Sequence, residues 1–138
     1  MADRGALDGA MAAVGDRWSM LVVDALLEGP LRFGQLAESV GGIAPNILTA
    51  RLRHLEREGL VTSAPYSRRP LRLAYELTGS GRDLAGALAL LTTWGARRQG
   101  SEGSRRHEAC GTSVETRWYC PTCDRMVDDA EADELRHV

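Results

Sequence analysis

Apolar residues recur along the first hundred positions with two periods, and the change from one to the other marks out the elements. Leu7, Met11 and Val14 stand at i, i+4 and i+7, which predicts a short amphipathic helix over residues 6–14, ended by Gly15. Asp16 is placed to cap a second helix running from Trp18 to Leu27, and Gly29-Pro30 stops it. Leu31-Arg32-Phe33 leads into a third helix over residues 34–40, with Leu36 and Val40 inward, and Gly41-Gly42 makes a tight turn. The fourth helix is the best defined. Pro45 suits its first position, Leu48, Leu52 and Leu55 form its buried stripe, and Gly59 ends it. Its cap position is Ala44, which lacks the hydroxyl that is typically worth about 1 kcal/mol there.

Beyond Gly59 the period drops to two. Residues 60–65 and 71–77 read as paired strands, with Leu71, Leu73, Tyr75 and Leu77 on one half-buried face and a basic loop, residues 66–70, between them. Thr78 then caps a long helix with Leu84, Leu88, Leu91 and Trp94 inside, and the Gly- and Ser-rich residues 99–104 read as a linker.

Four helices, a hairpin and a helix in this order predict a winged helix-turn-helix, a mainly α, α+β fold with a long C-terminal helix. Its domain spans residues 1–99, and residues 100–138 form a separate appendage. With the leucine stripe inward, Asn46, Thr49, Ala50, Arg53 and Arg57 fall on the opposite side of the fourth helix at 100° per residue. Recognition helices read base edges from such a face: Asn46 can pair with adenine, Arg53 with guanine, and Thr49 with a base or a phosphate. Arg57 is placed for a phosphate. Arg51, at the edge of the buried face, fits either a structural ion pair or a backbone contact. Arg68 and Arg69 at the hairpin tip suit phosphates or a minor groove. The blander reading, a merely solvated helix face and a solubilising turn, is outweighed by the adjoining turn, the proline start and the basic hairpin.

Composition and charge sharpen this picture. Of 138 residues, 43% are apolar and 26% charged, an ordinary globular composition. All 17 basic residues are Arg, against 19 acids, so the net charge of −2 excludes a uniformly basic nucleic-acid binder. The charge is uneven: residues 1–100 carry +2, residues 101–138 carry −4, and the window 44–73 carries +4. The basic window coincides with the fourth helix and hairpin. No apolar run reaches the roughly 18–20 residues of a membrane helix, and the N-terminus lacks a signal-peptide pattern, so a cytoplasmic protein without membrane contact is expected.

The three cysteines, Cys110, Cys120 and Cys123, fall in the last 29 residues. An odd number without a secretion signal speaks against a disulfide framework. His107-x2-Cys110 and Cys120-x2-Cys123 instead have the spacing of two zinc half-sites, together a Cys3His set in a small ribbon-like knuckle, with residues 117–119 as a strand between them. Four protein ligands leave no open position for water, so the zinc is expected to be structural. Variants of the site would use His137 or Asp124 as the fourth ligand. Three free thiols in a tail are the alternative, but this segment has too few apolar groups to fold by burial. A deaminase reading fails, because Glu108 directly follows His107 and Tyr119, not proline, precedes Cys120.

Val-Gly-Asp-Arg-Trp (14–18), Gly-Pro-Leu-Arg-Phe-Gly-Gln-Leu (29–36), Ile-Ala-Pro-Asn-Ile-Leu-Thr-Ala-Arg-Leu-Arg-His-Leu-Glu (43–56), Glu-Gly-Leu-Val (58–61) and Tyr-Glu-Leu-Thr (75–78) resemble, in order and spacing, the HxlR family of winged-helix regulators, relatives of the MarR group. The match spans roughly residues 5–98. It implies a homodimeric transcription factor, paired through its first and last helices, with base reading on Asn46, Thr49 and Arg53 and wing contacts on Arg68 and Arg69. Members of the family are often repressors that answer to aldehydes, oxidants or other small molecules. Two departures stand out: Gly5 occupies the place of a cysteine that some members use as a sensor, and Ala44 stands where many have serine.

No Ser/His/Asp arrangement, phosphate loop or catalytic carboxylate pair is present, and the expected function is that of a DNA-binding repressor rather than an enzyme. Its partners are double-stranded DNA, a second copy of itself and a small-molecule effector. Rival readings are a zinc-thiolate sensor of oxidants or electrophiles, and an adaptor acting through the acidic tail.

Overall fold

The computed structural model describes residues 4–101, 105–128 and 130–131, with side chains from residue 5 onward. Among the described residues six helices run α1 (Arg4–Val14), α2 (Arg17–Leu26), α3 (Phe33–Ser39), α4 (Pro45–Arg57), α5 (Gly79–Arg82) and α6 (Ala85–Arg98). Five strands are interspersed: β1 (Leu31–Arg32), β2 (Val61–Arg68), β3 (Leu71–Leu77), β4 (Trp118–Cys120) and β5 (Arg125–Val127). Two compact units result. One is Leu7–Leu90; the other takes in the chain from Leu91 onward with the residues before Leu7.

The unit Leu7–Leu90 holds the core. Val22, Val23 and Leu26 of α2, Leu36 of α3 and Leu48, Leu52 and Leu55 of α4 meet Leu60, Val61 and Leu77 from the hairpin. The leucine stripe of α4 is thus buried as its period requires. Asp16 caps α2, its carboxylate accepting the Ser19 N–H at 2.9 Å. Ala44 makes no side-chain cap, and α4 starts on the backbone alone, its first N–H groups reaching the Ala44 carbonyl at 3.0 Å. At its other end Gly59 takes φ +71°, so that Leu60 N–H reaches the Leu55 carbonyl at 2.9 Å and Gly59 N–H the Glu56 carbonyl at 3.0 Å. Such a paired closure calls for a residue without a Cβ penalty in the left-handed region.

The sheet order is β1-β3-β2, all antiparallel. The sequence reading of Leu31–Phe33 as a mere connection is corrected: Leu31 pairs with Tyr75 and Arg32 with Ala74, adding a third strand. Strand β2 also runs past Pro65 to Arg68, with a register shift between Pro65 and Ser67. Lying at the sheet edge, it tolerates a proline that a central strand would not. Leu71 does not share the half-buried face assigned to it. It sits at the tip, 67% exposed, beyond the reach of the core.

The long helix expected after Thr78 is broken. Thr78 does act as a cap, accepting the Gly81 N–H, but the helix it starts ends at Arg82, and α6 begins at Ala85. Gly81 explains the tight fit of α5: it is buried, and a Cβ there would strike the Leu60 carbonyl oxygen. Leu84 and Leu88 pack partly against the core, whereas Leu91 and Trp94, expected inside, are 46% and 60% exposed.

Candidate nucleic-acid interface

Burial of Leu48, Leu52 and Leu55 turns the other side of α4 outward. Asn46, Ala50, Arg53 and Arg57 are exposed and Thr49 is half-buried, the arrangement that the period of the helix dictates. Among the described residues no ion pair engages Arg53, Arg57, Arg68 or Arg69, so their guanidinium groups stand ready for an outside anion. Thr49 is partly committed: its hydroxyl donates to the Pro45 carbonyl at 2.9 Å. Arg51 faces inward, with Nη1 3.4 Å from Oδ2 of Asp16, which realises the ion-pair option left open for it.

This contact ties the cap of α2 to α4. Partial burial pushes the Asp16 carboxyl up, but hydrogen bonding by Ser19 and the charge of Arg51 outweigh it and hold the group below its ordinary value. Two further contacts escaped sequence reasoning. His54 places Nε2 2.8 Å from the carbonyl oxygen of Ala13, fastening α4 to the end of α1. Arg32 lies over the ring of Tyr66, 4.3 Å from its centroid, bracing the outer part of the hairpin arm from β1. No periodicity signals either one, because the partners lie 41 and 34 positions apart. Tyr75 on β3 lies within the electrostatic reach of α4: burial raises its phenol, Glu56 adds to the rise and Arg53 opposes it.

At the tip of the hairpin Ser67 donates to the Pro70 carbonyl at 3.0 Å, closing the turn on which Arg68 and Arg69 are exposed. The exposed face of α4 and this basic turn therefore belong to one compact unit.

The other expected site lies in the C-terminal segment. His107 and Cys110 are brought together, with 3.4 Å between Nδ1 and Sγ, and Cys120 and Cys123 share one turn. Among the described residues no three ligand-type side chains gather at one point. Asp124 is engaged by the Tyr119 hydroxyl, and His137 lies outside the described residues.

The sequence profile of the HxlR-like helix-turn-helix family matches residues 13–102. A Mycobacterium tuberculosis protein named HTH-type transcriptional regulator Rv3095 is 40% identical over 122 residues, covering 86% of this chain and 77% of its own. A solved Pseudomonas aeruginosa structure, named as a transcription factor, aligns with a TM-score of 0.67 at 33% identity, over 88% of this chain and 85% of that one. The redox regulator HypR in its reduced form aligns with a TM-score of 0.63 at 26% identity, over 67% of this chain and 92% of its own. Among the described residues no helix is long and apolar enough to cross a membrane.

Proposed function

The chain belongs to the HxlR-like helix-turn-helix family, and from that membership we propose that it is a sequence-specific DNA-binding transcriptional regulator, a homodimeric repressor that responds to a small molecule. The observation that carries this reading is the outward face of α4, with Asn46, Thr49, Ala50 and Arg53, in one compact unit with a hairpin tip whose arginines make no ion pair among the described residues. With α4 in the major groove, Arg53 pairs with guanine and Asn46 with adenine. The Thr49 hydroxyl donates to the Pro45 carbonyl, so it offers a methyl group and a lone pair, and with the Ala50 methyl it suits a thymine contact. Arg57 and the free edge of Arg51 meet phosphates, while Arg68 and Arg69 enter or flank the minor groove.

Two half-sites call for two copies. Apolar side chains on α6 (Leu90, Leu91, Trp94) and on α1 (Leu7, Met11) are exposed and supply the surface for self-association. The protein is a binding protein rather than an enzyme, and its DNA target places it in the cytoplasm.

Fluorescence anisotropy on DNA from upstream of the protein's own gene, against a scrambled duplex across a salt series, tests the reading. Preference for the upstream fragment, weakening as salt rises, is the expected result. Equal and weak binding to both duplexes counts against it.

A thiol-based response is the second reading. It is favoured by the likeness to a named redox regulator and by the place of the thiols: with Gly5 in the first helix, all three cysteines lie at 110–123. If oxidant sensitivity of DNA binding survives in Cys120→Ser, this reading fails.

A further inference from the structure

Two turns of the C-terminal segment are built alike. In the first, the Cys110 and Gly111 N–H groups both donate to the His107 carbonyl, at 3.2 and 2.7 Å, and Gly111 takes φ +70°. The bridge between Arg106 and Ser113 closes it. In the second, Cys120 to Cys123 turn back under Asp124 at φ +51°, and the pairing of Cys120 with Arg125 closes it. Each turn thus sets two ligand-type residues three positions apart, directly before a left-handed residue and inside a β closure.

The His107 Nδ1 and Cys110 Sγ atoms stand 3.4 Å apart. Two ligands of one tetrahedral zinc, with bonds of about 2.0 and 2.3 Å, stand about 3.5 Å apart. Burial offers no rival explanation for order here. No described residue from 105 onward is buried, and Val114, Trp118, Tyr119 and Met126 are all exposed.

We propose that the two turns close on a single zinc ion, held by His107 Nδ1 and by the sulfurs of Cys110, Cys120 and Cys123. Each half is formed on its own, and among the described residues the halves are not gathered into one cluster; bringing them together is the work of the ion, so that binding and folding of this segment are one event. The hydrogen bond from Tyr119 engages Asp124 and removes it as a fourth ligand. With four protein ligands the ion is structural. The four ligands belong to the unit from Leu91 onward and the DNA-reading residues to the unit Leu7–Leu90, and the test makes no use of DNA.

The test is titration of the reduced, metal-free full-length protein with cobalt(II), followed by competition with zinc(II). One equivalent of cobalt should bind with the intense visible bands of a tetrahedral site and with thiolate charge-transfer absorption, and zinc should displace it. Cys110→Ser, Cys123→Ser and His107→Ala should each weaken cobalt binding at least about tenfold while leaving the helical circular dichroism of residues 7–90 in place. Weak octahedral bands, or sub-stoichiometric binding, overturn the proposal. So does unchanged binding in His107→Ala and Cys110→Ser, which would mean that the Cys120–Cys123 turn binds metal without the other half.

Discussion

The Nε2 atom of His54 lies 2.8 Å from the backbone carbonyl oxygen of Ala13, joining the last turn of α4 to the last turn of α1 across 41 residues of sequence. A carbonyl only accepts, so Nε2 carries the proton, and one of the otherwise unsatisfied carbonyls at the end of α1 is satisfied by it. His54→Ala should cost about 0.5–1.5 kcal/mol. For a domain of this size that lowers Tm by several degrees, about 4–8 °C per kcal/mol. Differential scanning calorimetry checks it, and an unchanged Tm would show that the contact contributes nothing.

Asp16 links pH to the same helix. Its carboxyl is held below the ordinary value of 3.8 in the folded chain. The native state therefore binds that proton more weakly than the unfolded chain does. The stabilisation is fully present above about pH 4 and is lost as pH falls through the lowered folded value. Asp16→Asn keeps an N-cap acceptor but abolishes the charge facing Arg51, so it should flatten the acid limb of a urea-denaturation series below pH 4. Asp16→Ala should cost a further cap, about 1 kcal/mol, at all pH values.

On DNA the arginines should separate by kind. Arg53→Ala should lose about 1–3 kcal/mol on the cognate site and relax the preference for guanine at one position. Arg69→Ala should weaken cognate and scrambled duplexes alike and reduce the slope of log K against log salt by about 1. A salt series on both duplexes reads the difference. Equal losses of preference from the two variants would mean that the roles have been assigned wrongly.

Trp94 is 60% exposed on α6, with Arg98 stacked at 5.1 Å from its ring centroid. Trp94→Asp should shift the chain from dimer to monomer in sedimentation velocity and leave the fold of Leu7–Leu90 unchanged by circular dichroism. A dimer that persists at low micromolar concentration would remove α6 from the interface.

Legibility in the sequence followed the strength of the physical signal. The fourth helix was readable because Pro45, the leucine stripe and Gly59 agree at every level, and the outward position of Asn46, Ala50 and Arg53 follows from that one periodicity. The cap at Asp16 was readable for the same local reason. Strand β1 was not, since two residues carry no pattern and only the partner strand β3 makes them a strand. Leu84, Leu88, Leu91 and Trp94 form a true apolar stripe, but periodicity reports that a face is apolar and not what covers it. This chain's own core takes only the first half. The break at Asp83 was hidden because Asp83-Leu84 carries no Pro or Gly and the apolar period runs on through it, and the need for Gly81 comes from the Leu60 carbonyl pressed against it. In the C-terminal segment the spacing revealed the two turns, and the shared left-handed exits at Gly111 and Asp124 became visible only in three dimensions.

The Thr78 hydroxyl accepts from Gly81 at 3.2 Å while donating to the Gly59 carbonyl at 2.6 Å, and the Thr78 N–H reaches the Leu60 carbonyl at 3.0 Å. One residue thereby clamps the start of α5 to the exit of α4, with the buried Gly81 leaving no slack between them. A rotation of α5 has to break one of these bonds or drag Gly59 along. Removing the Thr78 hydroxyl would take away two of these three bonds at once and leave only the Thr78 N–H to hold the two helix ends together.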